Sequence, residues 1–314
     1  MSYGELFLTI LPVFALIVLG AALRHWRVIV EAAEDSLFNV VIKVAMPCLI
    51  FESVAGNATL RAPGNLLLAP LVGFTLTLMS IGVAYAGARL VGLKVGTGLR
   101  TFALTVGIAN YGYLPLPMME AMFGPESRGI LLVHNVGVEA ALWTGGILVI
   151  SGLSPRDGWR KLINAPMISL VVALGFNLLN LTPLVPGVVM NIVHAMGVCA
   201  IPLGLLMTGV SIQPHLGDPG RLFAPRISLA ACAVRLGVLP VLFLVVARYG
   251  PFSLELKRVI VVQAAMPTAV ISVIIARIYG GQPLTSVQIV LVTTALALFT
   301  LPFWIQFGLR WVTP

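Results

Sequence analysis

"GIANYGYLPLP", residues 107–117, lies inside an apolar run long enough to cross a bilayer. It holds two glycines, an asparagine, two tyrosines and two prolines. Proline has no N–H and its ring clashes with the preceding turn, so Pro115 and Pro117 are expected to interrupt a helix here. Gly107 and Gly112 add backbone freedom. Backbone groups freed in this way cannot face lipid, and persist only inside protein or along a watery cavity. The break is therefore a candidate site.

The surroundings agree with a membrane setting. The chain has 314 residues, of which 59% are hydrophobic and 10% charged, with mean hydropathy +1.03. Apolar runs of about 20 residues recur along its whole length, the length a spanning helix needs. The N-terminal run carries Glu5 in place of a basic leader and shows no small-residue cleavage site, so a signal peptide is not expected. Three cysteines in apolar surroundings give neither a disulfide framework nor metal spacing, and no cofactor is implied. The net charge of +8 lies mostly in short loops, where membrane topology accounts for it without nucleic acid.

Ten spans are read: 4–24, 34–56, 66–88, 98–122 and 128–151, then 165–182, 187–212, 225–248, 257–278 and 286–309. The polar stretch "SGLSPRDGWRKLINAP" separates two sets of five. This divides the chain into a first repeat, 1–151, a linker, 152–164, and a second repeat, 165–314. The halves align at an offset of 155 or 156: "IVLGAAL" with "VALGFNL", "LAPLVGF" with "FAPRISL", "MFG" with "IYG". An odd number of spans per repeat makes the repeat inverted, a common transporter design with its site at the midplane. The ninth span carries Pro267 in "VVQAAMPTAVISVIIARIYG", matching the break in the fourth. Paired interruptions of this kind point to the binding site, and the half-helix N-termini they create favour an anion. With the N-terminus outside, inner loops carry eleven Lys and Arg (Arg24, Arg27, Arg89, Lys94, Arg100, Arg156, Arg160, Lys161, Arg221, Arg226, Arg277) against six outside. That bias places both termini outside.

Several motifs together resemble the auxin efflux carrier family, which includes plant PIN-FORMED carriers and bacterial malonate-type permeases. "ANYGYLPLP" is similar to the family's Gly-Asn-x-Gly-Phe-Leu-Gly-x-Pro segment, placing Asn110, Gly112, Tyr113, Leu114 and Pro117 on it. "KVAMPCLIF", "AIPLGLLMTGVSI", "RLGVLP" (Arg235 to Pro240), "AAMPTAV" and "ARIYG" match further segments, so the likeness covers nearly the whole chain. The resemblance implies an all-α integral membrane protein of ten helices, with crossing Pro-broken helices 4 and 9. It further implies scaffold and transport domains, elevator-like carriage of organic anions such as mono- or dicarboxylates, an inner-membrane location and a homodimer. The chain departs from the family at Ala109, Pro115, Ile271 and Ser272, which alters the crossover surroundings. The long cytoplasmic loop of the plant carriers is absent, so auxin itself is not the expected substrate.

The expected substrate-lining residues are Asn110, Tyr111, Pro115, Pro117, Asn135, Gln263, Met266, Pro267 and Thr268, with Tyr113 nearby. Charged residues near the midplane are Glu139, Lys43 and Arg235. Glu139 is a coupling candidate, and Lys43 and Arg235 either compensate substrate charge or pair with Glu139 or backbone carbonyls. Asn135 and Glu139 share one helix face and either line the cavity or bond between helices. Gly197, Gly204 and Gly209 are expected to allow close helix packing. The expected partners are a small organic anion and membrane lipids. Rival readings are a proton- or sodium-coupled carboxylate symporter, a passive anion channel, and an intramembrane enzyme acting on lipid.

Overall fold

A computed structural model describes residues 3–61, 64–151, 163–215 and 224–312. The described residues are helical, without a named strand; one isolated β-bridge is present. Twelve main helices follow in order: α1 (Tyr3–His25), α2 (Glu31–Ala55), α3 (Leu66–Leu90), α4 (Leu99–Gly107), α5 (Pro115–Phe123), α6 (Ser127–Ser151), α7 (Ala165–Leu178), α8 (Gly187–Ile212), α9 (Pro225–Tyr249), α10 (Leu254–Ala265), α11 (Ile271–Ile278) and α12 (Pro283–Val312). Seven of these (α1, α2, α3, α6, α8, α9 and α12) are long and apolar enough to cross a membrane. α7 is apolar but only 14 residues long. The remaining four are the halves of two interrupted helices, α4 with α5 and α10 with α11. Their first residues, Pro115 in α5 and Ile271 in α11, stand 156 positions apart, the same offset that relates the two halves of the sequence.

Nearly all the boundaries sit where the hydropathy places them, because caps and glycines stop the helices there. The Asn164 side chain accepts from Met167 N at 2.9 Å to start α7, and Ser253 Oγ accepts from Leu256 N at 3.2 Å to start α10. Most of the linker, residues 152–162, lies outside the described residues, as do 216–223.

Prolines also reshape helices they do not end. Widened π-turns span Val41–Ala45, Gly64–Leu68 and Val234–Val238, each just ahead of a proline (Pro47, Pro70 and Pro240), and a fourth, Leu142–Gly146, has no proline close behind it. A proline ring clashes with the carbonyl four residues back and donates nothing to it, and a wider turn relieves the clash. At Pro240 the carbonyl so released is Leu236 O, which accepts Trp304 Nε1 of α12 at 2.6 Å. A backbone group that cannot be left bare in lipid is thereby satisfied.

Packing sorts the helices into two groups. α1 lies along α8, and α2 packs on both α7 and α8. α3 packs on α4 and α6, while α10 is wrapped by α9 and α12. The α1–α8 contact is backbone to backbone: a Cβ at Gly20 would sit 2.0 Å from Leu206 O, and one at Gly209 1.9 Å from Ile17 O. Only glycine fits at either place, the expected way for membrane helices to gain dispersion contact. Outward faces of α1, α7 and α8 expose Leu8, Val18, Val171, Val188 and Ile192, as a lipid-facing surface requires.

Candidate functional site

The two interruptions meet. Residues between α4 and α5 and those between α10 and α11 are extended where they cross, and Ala109 pairs with Thr268 in an antiparallel bridge. Asn110 N donates to Pro267 O at 2.7 Å and Ala269 N to Ile108 O at 3.0 Å. Each unwound segment supplies the partners the other lost, which answers how a membrane helix can be broken here. The bridge also fixes four helix ends around one point.

Side chains reinforce the crossing. Asn135 Nδ2, on α6, donates to Tyr111 O at 2.6 Å, and Gln263 Nε2, on α10, donates to Asn135 Oδ1 at 3.2 Å. Thr268 Oγ1 lies 2.8 Å from Thr293 Oγ1 of α12, so its hydroxyl is already engaged. Ser286 Oγ bridges the halves, 2.9 Å from Thr105 Oγ1 and 3.1 Å from Ser272 Oγ. Gln263, Met266 and Thr268 are buried, and Met266 packs in the main apolar core. Asn110 is only half-buried, and its side-chain amide has no partner among the described residues.

The half-helix N-termini hold fewer free donors than the interruption by itself implies. Pro115 and Pro117 contribute no N–H, and Leu116 N is taken by Gly112 O at 3.2 Å. In α11, Ser272 N and Val273 N bond Ala269 O and Val270 O. Neither end has a side-chain cap. The positive ends of both half-helices remain, but specific recognition falls to side-chain amides such as that of Asn110.

Of the charged candidates, Arg235 reaches the crossover and Lys43 does not. Arg235 is fully buried in the π-turn of α9, with Nε donating to Met266 O at 2.8 Å and Nη2 to Gln263 O at 3.2 Å. It thus takes the backbone-carbonyl alternative. Lys43 is exposed and without an ion pair among the described residues. Glu139 accepts from Asn164 Nδ2 of α7 at 3.3 Å and meets neither Lys43 nor Arg235, so the expected carboxylate pairing does not form. Burial separates them: Lys43 is exposed, while Arg235 is fully buried and Glu139 half-buried.

Some contacts are not visible in the sequence. Tyr113, at the end of the unwound segment, seats its ring against α8, where a Cβ at Gly204 would lie 2.1 Å from Tyr113 Cδ1. The socket also involves the cluster of Val41, Met207 and Val210. The hydroxyl pairs Thr268–Thr293 and Thr105–Ser286 join residues 25 and 181 positions apart, and no local pattern announces them. A cavity of about 170 Å³ lies elsewhere, between α5, α6 and α10, lined by Phe123, Glu126, Glu255 and Arg258 among others. None of the crossover residues borders it.

Two proline-interrupted helices, crossing and satisfying each other's backbone within a bundle of apolar helices, define a membrane transport protein. Residues 6–156 and again 150–305 match the family described as "Membrane transport protein", and the chain belongs to that family, the auxin efflux carriers among them. It is 28% identical over 303 residues to an uncharacterized transporter of Methanothermobacter thermautotrophicus, covering 94% of this chain and 96% of that one. It is 23% identical over 305 residues to an uncharacterized transporter of Methanocaldococcus jannaschii, with the same coverage. The chain is therefore a multi-pass membrane transporter.

Proposed function

We propose that this transporter is a secondary carrier of a small organic anion, a mono- or dicarboxylate, bound at the crossover of α4/α5 with α10/α11. The observation that carries the reading is Asn110: its backbone is pinned to Pro267 O at 2.7 Å while its side-chain amide, on a half-buried residue, has no partner among the described residues. An amide at membrane depth that no protein group engages is completed by water or by a ligand, and is free to bind one. Two positive half-helix ends and the buried guanidinium of Arg235 set the sign of that ligand as negative. Tyr111, Asn135 and Gln263 hold the frame around Asn110; Pro115, Pro117, Met266, Pro267 and Thr268 shape it from behind.

Tight burial of the crossover favours alternating access over an open pore, since Gln263 and Thr268 are 1% and 0% exposed. The α1, α2, α7 and α8 group then acts as scaffold, and the remaining helices move as the elevator. In this reading residues 1–151 and 165–314 are inverted five-span repeats, both termini face outside, and the protein sits in the cell membrane. The double family match, one per half, supports that division.

Proton-coupled symport is the second reading. It draws on Glu139, a half-buried carboxylate with no cationic partner among the described residues. A panel of mono- and dicarboxylates in thermal-shift assays tests the binding site. At least one is expected to stabilise the wild type and not Asn110→Ala. Equal stabilisation of both proteins by every hit would refute the role of Asn110.

A further inference from the structure

Four helix ends surround the crossover, and they are not electrically alike. The starts of α5 and α11 are positive and suit an anion, while the ends of α4 and α10 are negative and oppose one. In transporters built this way, the carbonyls at such C-terminal ends are where a coupling cation is held. At the end of α10 two carbonyls are already occupied. Arg235 donates Nε to Met266 O at 2.8 Å and Nη2 to Gln263 O at 3.2 Å. It is 0% exposed, Phe243 lies under its guanidinium at 5.9 Å, and no carboxylate pairs with it among the described residues. Its Nη1 is buried and has no hydrogen-bond partner among the described residues.

A full hydrogen-bond cap does not require a charge. An amide side chain would satisfy two carbonyls without the penalty of burying a guanidinium, and a buried charge with no counter-ion persists only where the local field favours it. The field here comes from the α10 dipole and from two inward-facing carbonyls. The opposite half lacks the device. The position 155 residues earlier is Ser80, whose hydroxyl bonds Leu76 O at 2.7 Å within its own helix.

We propose that Arg235 is a tethered cation that permanently fills the carbonyl site at the end of α10. A guanidinium cannot leave and is not deprotonated in proteins, so this half of the crossover takes no exchangeable sodium ion. Vacating it converts the end of α10 into a site for a free monovalent cation. The inference deepens the carrier reading by assigning the charge that balances the anion, and it rests on that reading only for its consequence in transport. Its test needs no substrate, so its failure is distinguishable from failure of the carrier reading.

The test is thermal unfolding of purified wild type, Arg235→Lys, Arg235→Gln and Arg235→Ala in guanidinium, sodium or choline chloride at matched low millimolar ionic strength. Wild type and Arg235→Lys are expected to unfold at temperatures independent of which cation is present. Arg235→Ala is expected to unfold lower, and to regain about 2–4 °C with guanidinium or sodium relative to choline, through binding to the folded state. Arg235→Gln keeps two donors without the charge and serves if the alanine variant does not fold; it is expected to fall below Arg235→Lys. Arg235→Gln unfolding at the wild-type temperature, or neutral variants indifferent to guanidinium and sodium, would overturn the proposal and leave Arg235 as a hydrogen-bond cap.

Discussion

Gly204→Ala gives a prediction whose sign depends on a second residue. Alanine is better than glycine in a helix interior by about 1 kcal/mol, so on propensity alone the substitution should stabilise α8. At this position the new Cβ would lie 2.1 Å from Cδ1 and 2.2 Å from Cε1 of Tyr113. The ring cannot bend away as a flexible side chain would, so either it leaves its socket or α8 shifts. Overpacking of this kind costs about 1–3 kcal/mol, which offsets or exceeds the helix gain. With Tyr113→Ala the ring is gone and the gain stands alone. The two substitutions are therefore expected to couple by about 1–3 kcal/mol in a double-mutant cycle. Unfolding temperatures of the four purified proteins read it: Gly204→Ala should lower or leave unchanged the wild-type value, and raise that of Tyr113→Ala. An equal shift in both backgrounds would refute the socket. The contact links the unwound segment to α8, so in an elevator it must break in each cycle.

Asn110→Ala should remove most transport without lowering expression, since a hydrogen bond to a charged group contributes about 1.5–3 kcal/mol, roughly 10–150-fold in affinity; wild-type affinity in the variant would sink the binding role. Pro267→Ala should let the ninth span close its backbone ladder and pull Pro267 O from Asn110 N, impairing turnover measured in the same assay. Asn135→Leu, which strips Tyr111 O and Gln263 Nε2 of a partner, should cost about 1–3 kcal/mol of stability, visible as a lower unfolding temperature. Cysteines replacing Gly158 or Gly217, in a background without native cysteines, should be shielded from impermeant thiol reagents in intact cells; ready labelling would reverse the orientation.

Much of this architecture is legible in the chain because the membrane makes the code coarse. An apolar run either reaches across or it does not, so the limits of α8, read as 187–212, coincide with Gly187–Ile212. Pro115 and Pro267 announce the two interruptions for the same reason: a missing N–H in lipid must be answered somewhere. What answers it is invisible locally. The bridge between Ala109 and Thr268 joins residues on different halves, and nothing in either segment names the other. Gly204 reads as a packing glycine, but that its neighbour is Tyr113 emerges only when the unwound segment is laid on α8. Lys43 and Glu139 both read as intramembrane charges, yet their partners depend on helix rotation, which hydropathy does not encode. The π-turn ahead of Pro240 is not legible from its proline alone, since Pro12, Pro202 and Pro302 sit in helices that stay regular, and neither is what Arg235 contacts from that turn.

In the carrier proposed above an anion binds at the crossover and is carried, and we propose that without a coupling acid the membrane potential drives it. Potential contributes about 2.3 kcal/mol per charge per 100 mV, enough for roughly 50-fold accumulation on the positive side. The direct measurement is flux of a labelled carboxylate into proteoliposomes, with potassium and valinomycin setting the voltage while pH and sodium are matched. Voltage-dependent, saturable flux with counterflow, lost in Asn110→Ala and retained in Glu139→Gln, is the predicted result. Flux that ignores voltage, follows an imposed pH gradient and loses that response in Glu139→Gln would contradict it and make Glu139 the coupling acid.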